Sequence, residues 1–275
     1  MSDFFEGWYF KHQKDGRMLA LIPGRSKDRA FVQVITNERA YNVDFPLDAF
    51  HKGDIVAIGE NRFAADGICV NLHSENLDLS GELFYENLTP LVSDIMGPFR
   101  FFPMECRHTV VSMGHTVSGT LTLNGEKLYF DGGRGYIEGD SGKSFPKNYT
   151  WVQCNAFDEP CFVMASIARI PFAGLRFTGC ICVVWVNGRE HRLATYRGVR
   201  ILHNTKGRIE LHQRGLRLCI EVVERNGHKL LAPVRGLMRR SIHEIPLCKA
   251  RFRFWENGAL LFDLSNDCAS FECVE

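Results

Sequence analysis

Two features are missing from this sequence of 275 residues: a long hydrophobic run and an excess of charge of one sign. The longest apolar run, residues 180–186, falls far short of the roughly 20 residues that a transmembrane helix needs. We therefore expect no integral membrane segment, and transient contact with a membrane stays open. The formal net charge of +1 provides no overall field for holding nucleic acid, so we expect neither DNA nor RNA as a partner.

Cysteine spacing of the kind that marks zinc sites or disulfide scaffolds is also absent. The ten cysteines are scattered and none is spaced as CxxC; His108, His115 and His243 show no zinc-ligand spacing either. The N-terminal residues have no basic segment ahead of an apolar core, as a secretory signal would. We therefore expect reduced thiols, a cytoplasmic location and no metal.

The sequence does contain a set of β-hairpin signals. Asn-Gly and Asp-Gly favour two-residue hairpin turns because these residues tolerate positive φ. Six such pairs lie between β-rich runs: Asp15-Gly16, Asp66-Gly67, Asn124-Gly125, Asn187-Gly188, Asn226-Gly227 and Asn257-Gly258. The runs alternate, as Leu121 and Leu123 do with Thr120 and Thr122. This pattern predicts an all-β fold of barrel or sandwich type.

Two proline-punctuated stretches interrupt the hairpins. Residues 88–103 predict either a short helix with a loop or a lid. Residues 232–246 predict a helical turn bounded by prolines. A boundary near residues 145–150 leaves two halves, each long enough for a barrel of about eight strands. We place the two domains at residues 1–147 and 148–275.

Residues 135–157, GYIEGDSGKSFPKNYTWVQCNAF, concentrate the groups that carry chemistry. Glu138 and Asp140 are two residues apart, so in an extended backbone they project to one side. The following run predicts a strand in which Tyr149, Trp151, Gln153 and Asn155 share one face. A face that combines aromatic rings with amides is typical of a pocket lining.

Blocks at the start, middle and end of the chain carry a resemblance to a known family. They read FFEGWYFK at residues 4–11, YIE at 136–138 ahead of Gly142, FP at 145–146, WVQCNAF at 151–157, LAP at 231–233 and FWE at 254–256. Together they resemble the tocopherol cyclase family. The resemblance implies two tandem lipocalin-like antiparallel β-barrel domains, an architecture similar to that of carotenoid hydratases.

The resemblance also implies a reaction. An acid protonates the double bond of a prenylated quinol, and the phenolic oxygen captures the tertiary carbocation in a redox-neutral step that needs no cofactor. A carboxylic acid stays protonated near neutral pH when it is buried or lies beside a second carboxylate. We predict Glu138 and Asp140 as the catalytic pair. Aromatic faces stabilise the cation, and the predicted substrate-binding residues are Trp8, Tyr136, Tyr149, Trp151, Gln153 and Asn155.

Other interpretations of the same residues remain open. Where the plant-type enzymes carry Lys-Asn-Trp-Gly, this chain has residues 139–142, Gly-Asp-Ser-Gly, so a tryptophan is replaced. Glu138 can instead form a structural ion pair with Arg134 or Lys143, and Glu6 or Glu105 can be the acid. The rival functions are a non-catalytic carrier of a lipophilic ligand and a hydratase of an isoprenoid double bond.

Overall fold

The computed structural model of the chain describes residues 3–172, 175–223 and 226–274. Strands make up 70% of it and helices 4%, and its strands form two large antiparallel sheets of 12 and 10 strands. The predicted all-β fold of two tandem barrel-type domains is therefore confirmed. No helix in these residues is long and apolar enough to cross a bilayer.

The first sheet contains the strands up to residue 142. Its members are β1 (Phe5–Lys14), β2 (Arg17–Arg25), β3 (Ala30–Thr36), β4 (Ala40–Phe45), β5 (Phe50–Lys52), β6 (Val56–Ile58), β7 (Asn61–Ala64), β8 (Gly67–Ser74), β9 (Leu77–Glu86), β10 (Cys106–Leu123), β11 (Glu126–Tyr129) and β12 (Gly133–Gly142). The order is β4-β3-β2-β1-β12-β10-β9-β8-β7-β6-β5, with β11 paired to β10. Strand β12 thus lies in the middle of the sheet, between β1 and β10.

The second sheet contains the later strands. They are β13 (Tyr149–Cys154), β14 (Phe162–Phe172), β15 (Leu175–Val186), β16 (Arg189–Ala194), β17 (Arg200–Thr205), β18 (Arg208–Gln213), β19 (Leu216–Val222), β20 (Asn226–Val234), β21 (Leu237–Glu256) and β22 (Ala259–Val274). Their order is β16-β15-β14-β13-β22-β21-β19-β18-β17, with β20 paired to β21.

The chain divides into two compact units. Unit 1 comprises Met1–Leu91, Cys106–Phe145 and Leu231–Ser241, and unit 2 comprises Val92–Glu105, Pro146–Leu230 and Ile242–Glu275. Each unit has its own hydrophobic core. The core of unit 1 includes Phe10 and Ile137, and that of unit 2 includes Val152 and Cys154. The division into domains at residues 147 and 148 stays a prediction.

Four of the six predicted hairpin turns form as expected, with positive φ at both residues: Asp15-Gly16, Asn124-Gly125, Asn187-Gly188 and Asn257-Gly258. The turn predicted at Asp66-Gly67 is displaced by one residue, because Gly67 already begins β8. Asn226-Gly227 opens strand β20, so the prediction of a turn at that pair was wrong.

The helical turn predicted in residues 232–246 was also wrong. These residues form the hairpin of β20 and β21, which turns at Arg235 and Gly236 with φ of 49° and 74°. Its prolines lie within strands rather than at helix ends. In residues 88–103, by contrast, a short helix with a loop is present as the 3-10 helix Gly97–Phe101.

The ten cysteines all lie in the described part of the chain, and none is in a disulfide. Most are buried. Burial alone raises the pKa of the Cys180 thiol to about 12, because a buried thiolate loses its hydration. These cysteines therefore pack as small apolar side chains.

A polar cluster is buried within the core of unit 1. The His12 ring contacts the Tyr85 hydroxyl through Nε2, at 2.5 Å, and the Leu19 carbonyl through Nδ1, at 3.1 Å. The His115 ring packs on Tyr85 with centroids 4.6 Å apart. Burial lowers the pKa of His12 to about 3, helped by the charge of His115, and that of His115 to about 4. Both rings are therefore neutral near neutral pH.

Gly135 leaves the room that the His115 ring occupies. A Cβ at Gly135 would overlap His115 Nε2 and its two neighbouring carbons. We expect Gly135→Ala to lower the free energy of unfolding by about 1–3 kcal/mol, the usual cost of overpacking a core. Chemical denaturation measures this change.

Gly53→Ala is the matched control. A Cβ at Gly53 would have no neighbour within 4 Å, so its free energy of unfolding should change by less than about 0.5 kcal/mol. Equal stability of the two variants would contradict the packing described for His115.

Candidate active site

The predicted catalytic carboxylates lie on the face of β12 that points away from the core of unit 1. Directly opposed residues of antiparallel strands share a face, and consecutive residues alternate between faces. Ile137 is opposite Phe10 on the core face, whereas Glu138 is opposite Tyr9 on the other. Glu138 and Asp140 therefore share a face, as predicted.

Four side chains on this face form a continuous polar chain. The Tyr136 hydroxyl donates to Glu138 Oε2 at 2.5 Å. His108 lies on β10 opposite Asp140; its Nε2 is 3.3 Å from Glu138 Oε2 and its Nδ1 is 3.0 Å from Asp140 Oδ1. The order is Tyr136, Glu138, His108 and Asp140, and we call these residues the acid chain. Cys106 extends it, since its thiol is 3.5 Å from Asp140 Oδ1.

Three of the four residues of the acid chain are shielded from water, and Asp140 is partly exposed. Tyr136 is fully buried, and Glu138 and His108 are 6% and 9% exposed. Burial by itself lowers the pKa of His108, but the charges of Asp140 and Glu138 outweigh it and hold that pKa well above its usual value. Burial, followed by the charge of Glu138, raises the pKa of Tyr136 well above its ordinary value. His108 is thus an imidazolium near neutral pH, and Tyr136 keeps its proton.

This arrangement places a proton donor between two carboxylates. The Nε2 proton of the imidazolium faces Glu138, and the Nδ1 proton faces Asp140. A proton passed from His108 Nε2 to Glu138 converts an ion pair into a neutral pair. Glu138 then carries a proton in a dry environment, which is what a general acid requires.

The same groups form the one cluster in the described residues with the composition of a metal site. One atom each of His108, Glu138 and Asp140 lie within 4.8 Å of one another. Both imidazole nitrogens, however, already face carboxylate oxygens at contact distance, so a metal would have to displace the imidazolium proton. The geometry fits a proton better than a metal ion. The absence of a metal stays a prediction.

The structure places Trp8 on the other face of the sheet. Trp8 is opposite Gly139, where a Cβ would be 2.8 Å from Trp8 Cδ1. It packs on Phe50 with ring centroids 6.4 Å apart, and Lys52 Nζ is 4.7 Å from the centroid of the Trp8 ring. A lysine ammonium therefore already uses this ring as a cation-binding surface, and Trp8 does not join the acid chain.

The alternative acids have different surroundings. Glu6 is 3% exposed, and its two oxygens accept hydrogen bonds from Arg25 at 2.7 Å and Lys52 at 2.6 Å. This is the geometry of a buried structural ion pair. Glu105 is half-buried in unit 2, next to the start of β10. Glu138 is in contact with the His108 ring.

The remaining predicted site residues belong to unit 2. One face of β13 carries the core residues Val152 and Cys154. The other face carries Tyr149, Trp151 and Gln153, and Asn155 follows the strand. All four predicted residues are buried, and the Tyr149 hydroxyl donates to Glu272 Oε2 at 2.7 Å. That they bind substrate stays a prediction.

Sequence reasoning did not place His108 beside the two carboxylates. Its partners are 30 and 32 residues away in the chain, and only the pairing of β10 with β12 brings them together. Strand β10 also contains irregularities between Val110 and Ser112 and between Ser112 and His115. Alternation counted along the sequence cannot place His108 and His115 on their correct faces across such bulges.

Comparisons with known proteins agree with the resemblance seen in the sequence. The model of the tocopherol cyclase-like family matches residues 91–187, about a third of the chain. This confirms the predicted resemblance over a stretch that includes the acid chain. No curated protein matches the sequence.

Solved structures share the fold. CghA is similar with a TM-score of 0.65 and 11% identity, over 100% of this chain and 89% of that one. Kievitone hydratase from Nectria haematococca has a TM-score of 0.57 and 12% identity, over 98% and 88%. An AttH protein from Nitrosomonas europaea has a TM-score of 0.53 and 11% identity, over 98% and 93%. At such low identities these likenesses concern the fold alone.

The charge state of the acid chain is directly measurable. In long-range proton–nitrogen NMR spectra near neutral pH, we expect His108 to carry protons on both ring nitrogens and His12 and His115 to be neutral. The reason is that two carboxylates raise the pKa of His108, whereas burial lowers the other two to about 3 and about 4.

Asp140→Asn supplies the control for this measurement. It removes one of the two charges that raise the pKa of His108, so that pKa should fall while His12 and His115 stay neutral. A neutral His108 ring in the unaltered protein near neutral pH would contradict the assigned charge state.

Proposed function

We propose that this chain is an enzyme of the tocopherol cyclase type, in which the acid chain protonates a carbon–carbon double bond of a lipophilic small molecule. A prenylated quinol is the proposed substrate, and ring closure by its phenolic oxygen is the proposed reaction. The observation that carries the proposal is the buried contact of Glu138 with both His108 and Tyr136. The family match over residues 91–187 supports it.

The proposed reaction begins with the proton of His108. It moves from Nε2 to Glu138, which delivers it to the less substituted carbon of the double bond. A tertiary carbocation forms on the neighbouring carbon, and the phenolic oxygen closes a C–O bond to it. The phenolic proton returns to the Glu138 carboxylate and then to His108. The product is an isomer of the substrate, no electron is gained or lost, and no cofactor is required.

Other residues on the same face have supporting roles in this scheme. Asp140 holds the imidazole through Nδ1, which aims Nε2 at Glu138. The Tyr136 hydroxyl donates to Glu138 Oε2 and so stabilises the carboxylate left after proton transfer. The Tyr9 ring, opposite Glu138 and 9% exposed, offers an aromatic surface beside the forming cation.

The hydratase alternative shares the first step and differs in the second. If water reaches the cation before the phenolic oxygen does, the product is a tertiary alcohol. One of the proteins that share the fold is named a hydratase, so both products belong in the assay. The carrier alternative predicts binding without turnover.

Glu138→Gln tests the proposal. The amide keeps the shape of the side chain but has no transferable proton, so turnover of a prenylated quinol should fall on the order of a hundredfold or more. Binding of the quinol should persist. Turnover is measured by chromatography of the chromanol and alcohol products, and affinity by fluorescence titration.

Glu6→Gln is the matched control. It breaks the buried ion pairs with Arg25 and Lys52, so it should lower the free energy of unfolding while turnover per folded molecule stays unchanged. Full turnover by Glu138→Gln would remove Glu138 from the mechanism. Quinol binding without turnover in the unaltered protein would favour the carrier.

A further inference from the structure

Three segments of unit 2 meet at a cluster of aromatic rings. Phe99, in the 3-10 helix Gly97–Phe101, stacks on Phe177 of β15 with centroids 5.8 Å apart. Phe99 also meets the edge of Tyr196 at 6.5 Å; Tyr196 lies in the 3-10 helix Thr195–Arg197. We call Phe99, Phe177 and Tyr196 the aromatic platform.

The loop that supplies Phe99 is firmly attached. Arg192, 3% exposed, donates to the Ser93 carbonyl and to the Asp94 carbonyl, each at 2.8 Å. The Tyr196 hydroxyl donates to the Ile95 carbonyl at 3.0 Å. Gly97 has a φ of 54° and lies against the Tyr196 ring, where a Cβ would be 2.6 Å from the ring. The residues that follow are therefore held in place.

The end of this loop carries large apolar side chains into solvent. Phe101 is 75% exposed and Phe102 is 46% exposed, although their neighbour Phe99 is part of the platform. The guanidinium of Arg100 lies 4.6 Å from the centroid of the Phe101 ring. Two adjacent exposed phenylalanines on an anchored loop indicate an interaction surface.

Exposed arginines follow two of the platform residues in the sequence: Arg100 follows Phe99 and Arg197 follows Tyr196. Residues 160–188, which include the β14–β15 hairpin, contain no Asp or Glu, and neither do residues 191–207. Of the acids on the loop, Asp94 accepts a hydrogen bond from the Met96 amide at 2.8 Å, and Glu105 is half-buried at its far end.

We propose that Phe101 and Phe102, with Arg100 and Arg197, form a docking surface for a bilayer that contains anionic lipid. Aromatic rings partition into the headgroup region of a membrane, and each arginine near an anionic surface adds to the attraction. Exposed rings with an arginine against them match both parts of that environment. The overall charge of +1 does not oppose this, because the field near a membrane acts over about a Debye length.

The proposal does not depend on the reaction catalysed, and co-sedimentation with vesicles tests it. Vesicles are made of phosphatidylcholine alone or of phosphatidylcholine mixed with phosphatidylglycerol. We expect the unaltered chain to sediment with the mixed vesicles and to bind the neutral ones more weakly. Phe101→Ser combined with Phe102→Ser should reduce partitioning into mixed vesicles at least about tenfold. Arg100→Ser should weaken binding to mixed vesicles more than to neutral ones.

Phe84→Ser is the matched control, because Phe84 is 56% exposed on β9 of unit 1 and its loss should leave vesicle binding unchanged. Circular dichroism and melting temperature check the fold of each variant, and Phe101→Ser alone serves if the double variant is unstable. Absence of vesicle binding by the unaltered chain, or equal loss in Phe84→Ser, would overturn the proposal. So would a dimer in sedimentation velocity without lipid that the double variant dissociates, because the surface would then join two copies of the chain.

Discussion

The alternation of side chains along β12 is the constraint on which the candidate site depends. On the core face, residues 135, 137 and 139 are Gly, Ile and Gly, and on the other face residues 136, 138 and 140 are Tyr, Glu and Asp. The two glycines leave room for His115 and Trp8, so large side chains from neighbouring strands fill the core face. Strand β12 is paired with β1 on one side and with β10 on the other. This pairing fixes its backbone, so the ionisable groups on its other face are held at a fixed spacing.

Neighbouring charges decide how the buried histidines of unit 1 behave. Among the described residues, no carboxylate raises the pKa of His12 or His115, and burial keeps both rings neutral. In the unfolded chain both histidines become protonated below about pH 6.5. In the folded chain His115 becomes protonated only below about pH 4 and His12 only below about pH 3. These two residues therefore lower the stability of the fold as the pH falls. His108 acts in the opposite sense. Its raised pKa adds stability that is fully present below about pH 6.5 and is lost as the pH rises through the folded value.

Local patterns in the sequence were sufficient to predict the all-β fold, most hairpin turns and the shared face of Glu138 and Asp140. These features depend on residues within a few positions of one another. The register between distant strands does not, and it determines that His108 joins the carboxylates while Trp8 faces the core. The hairpin at Arg235 and Gly236 was missed for a related reason, since its prolines suggested helix ends when both lie in paired strands.

The central claim is that the acid chain delivers a proton to carbon. Turnover of a prenylated quinol in deuterated water tests it most directly, because exchangeable protons on His108 and Glu138 become deuterons before reaction. The account predicts one deuterium at the less substituted carbon of the former double bond, in the chromanol or in the alcohol. With Glu138→Gln, the amount of this labelled product should fall almost to zero. Product without deuterium at that carbon would contradict the account. So would an unchanged amount of labelled product with Glu138→Gln.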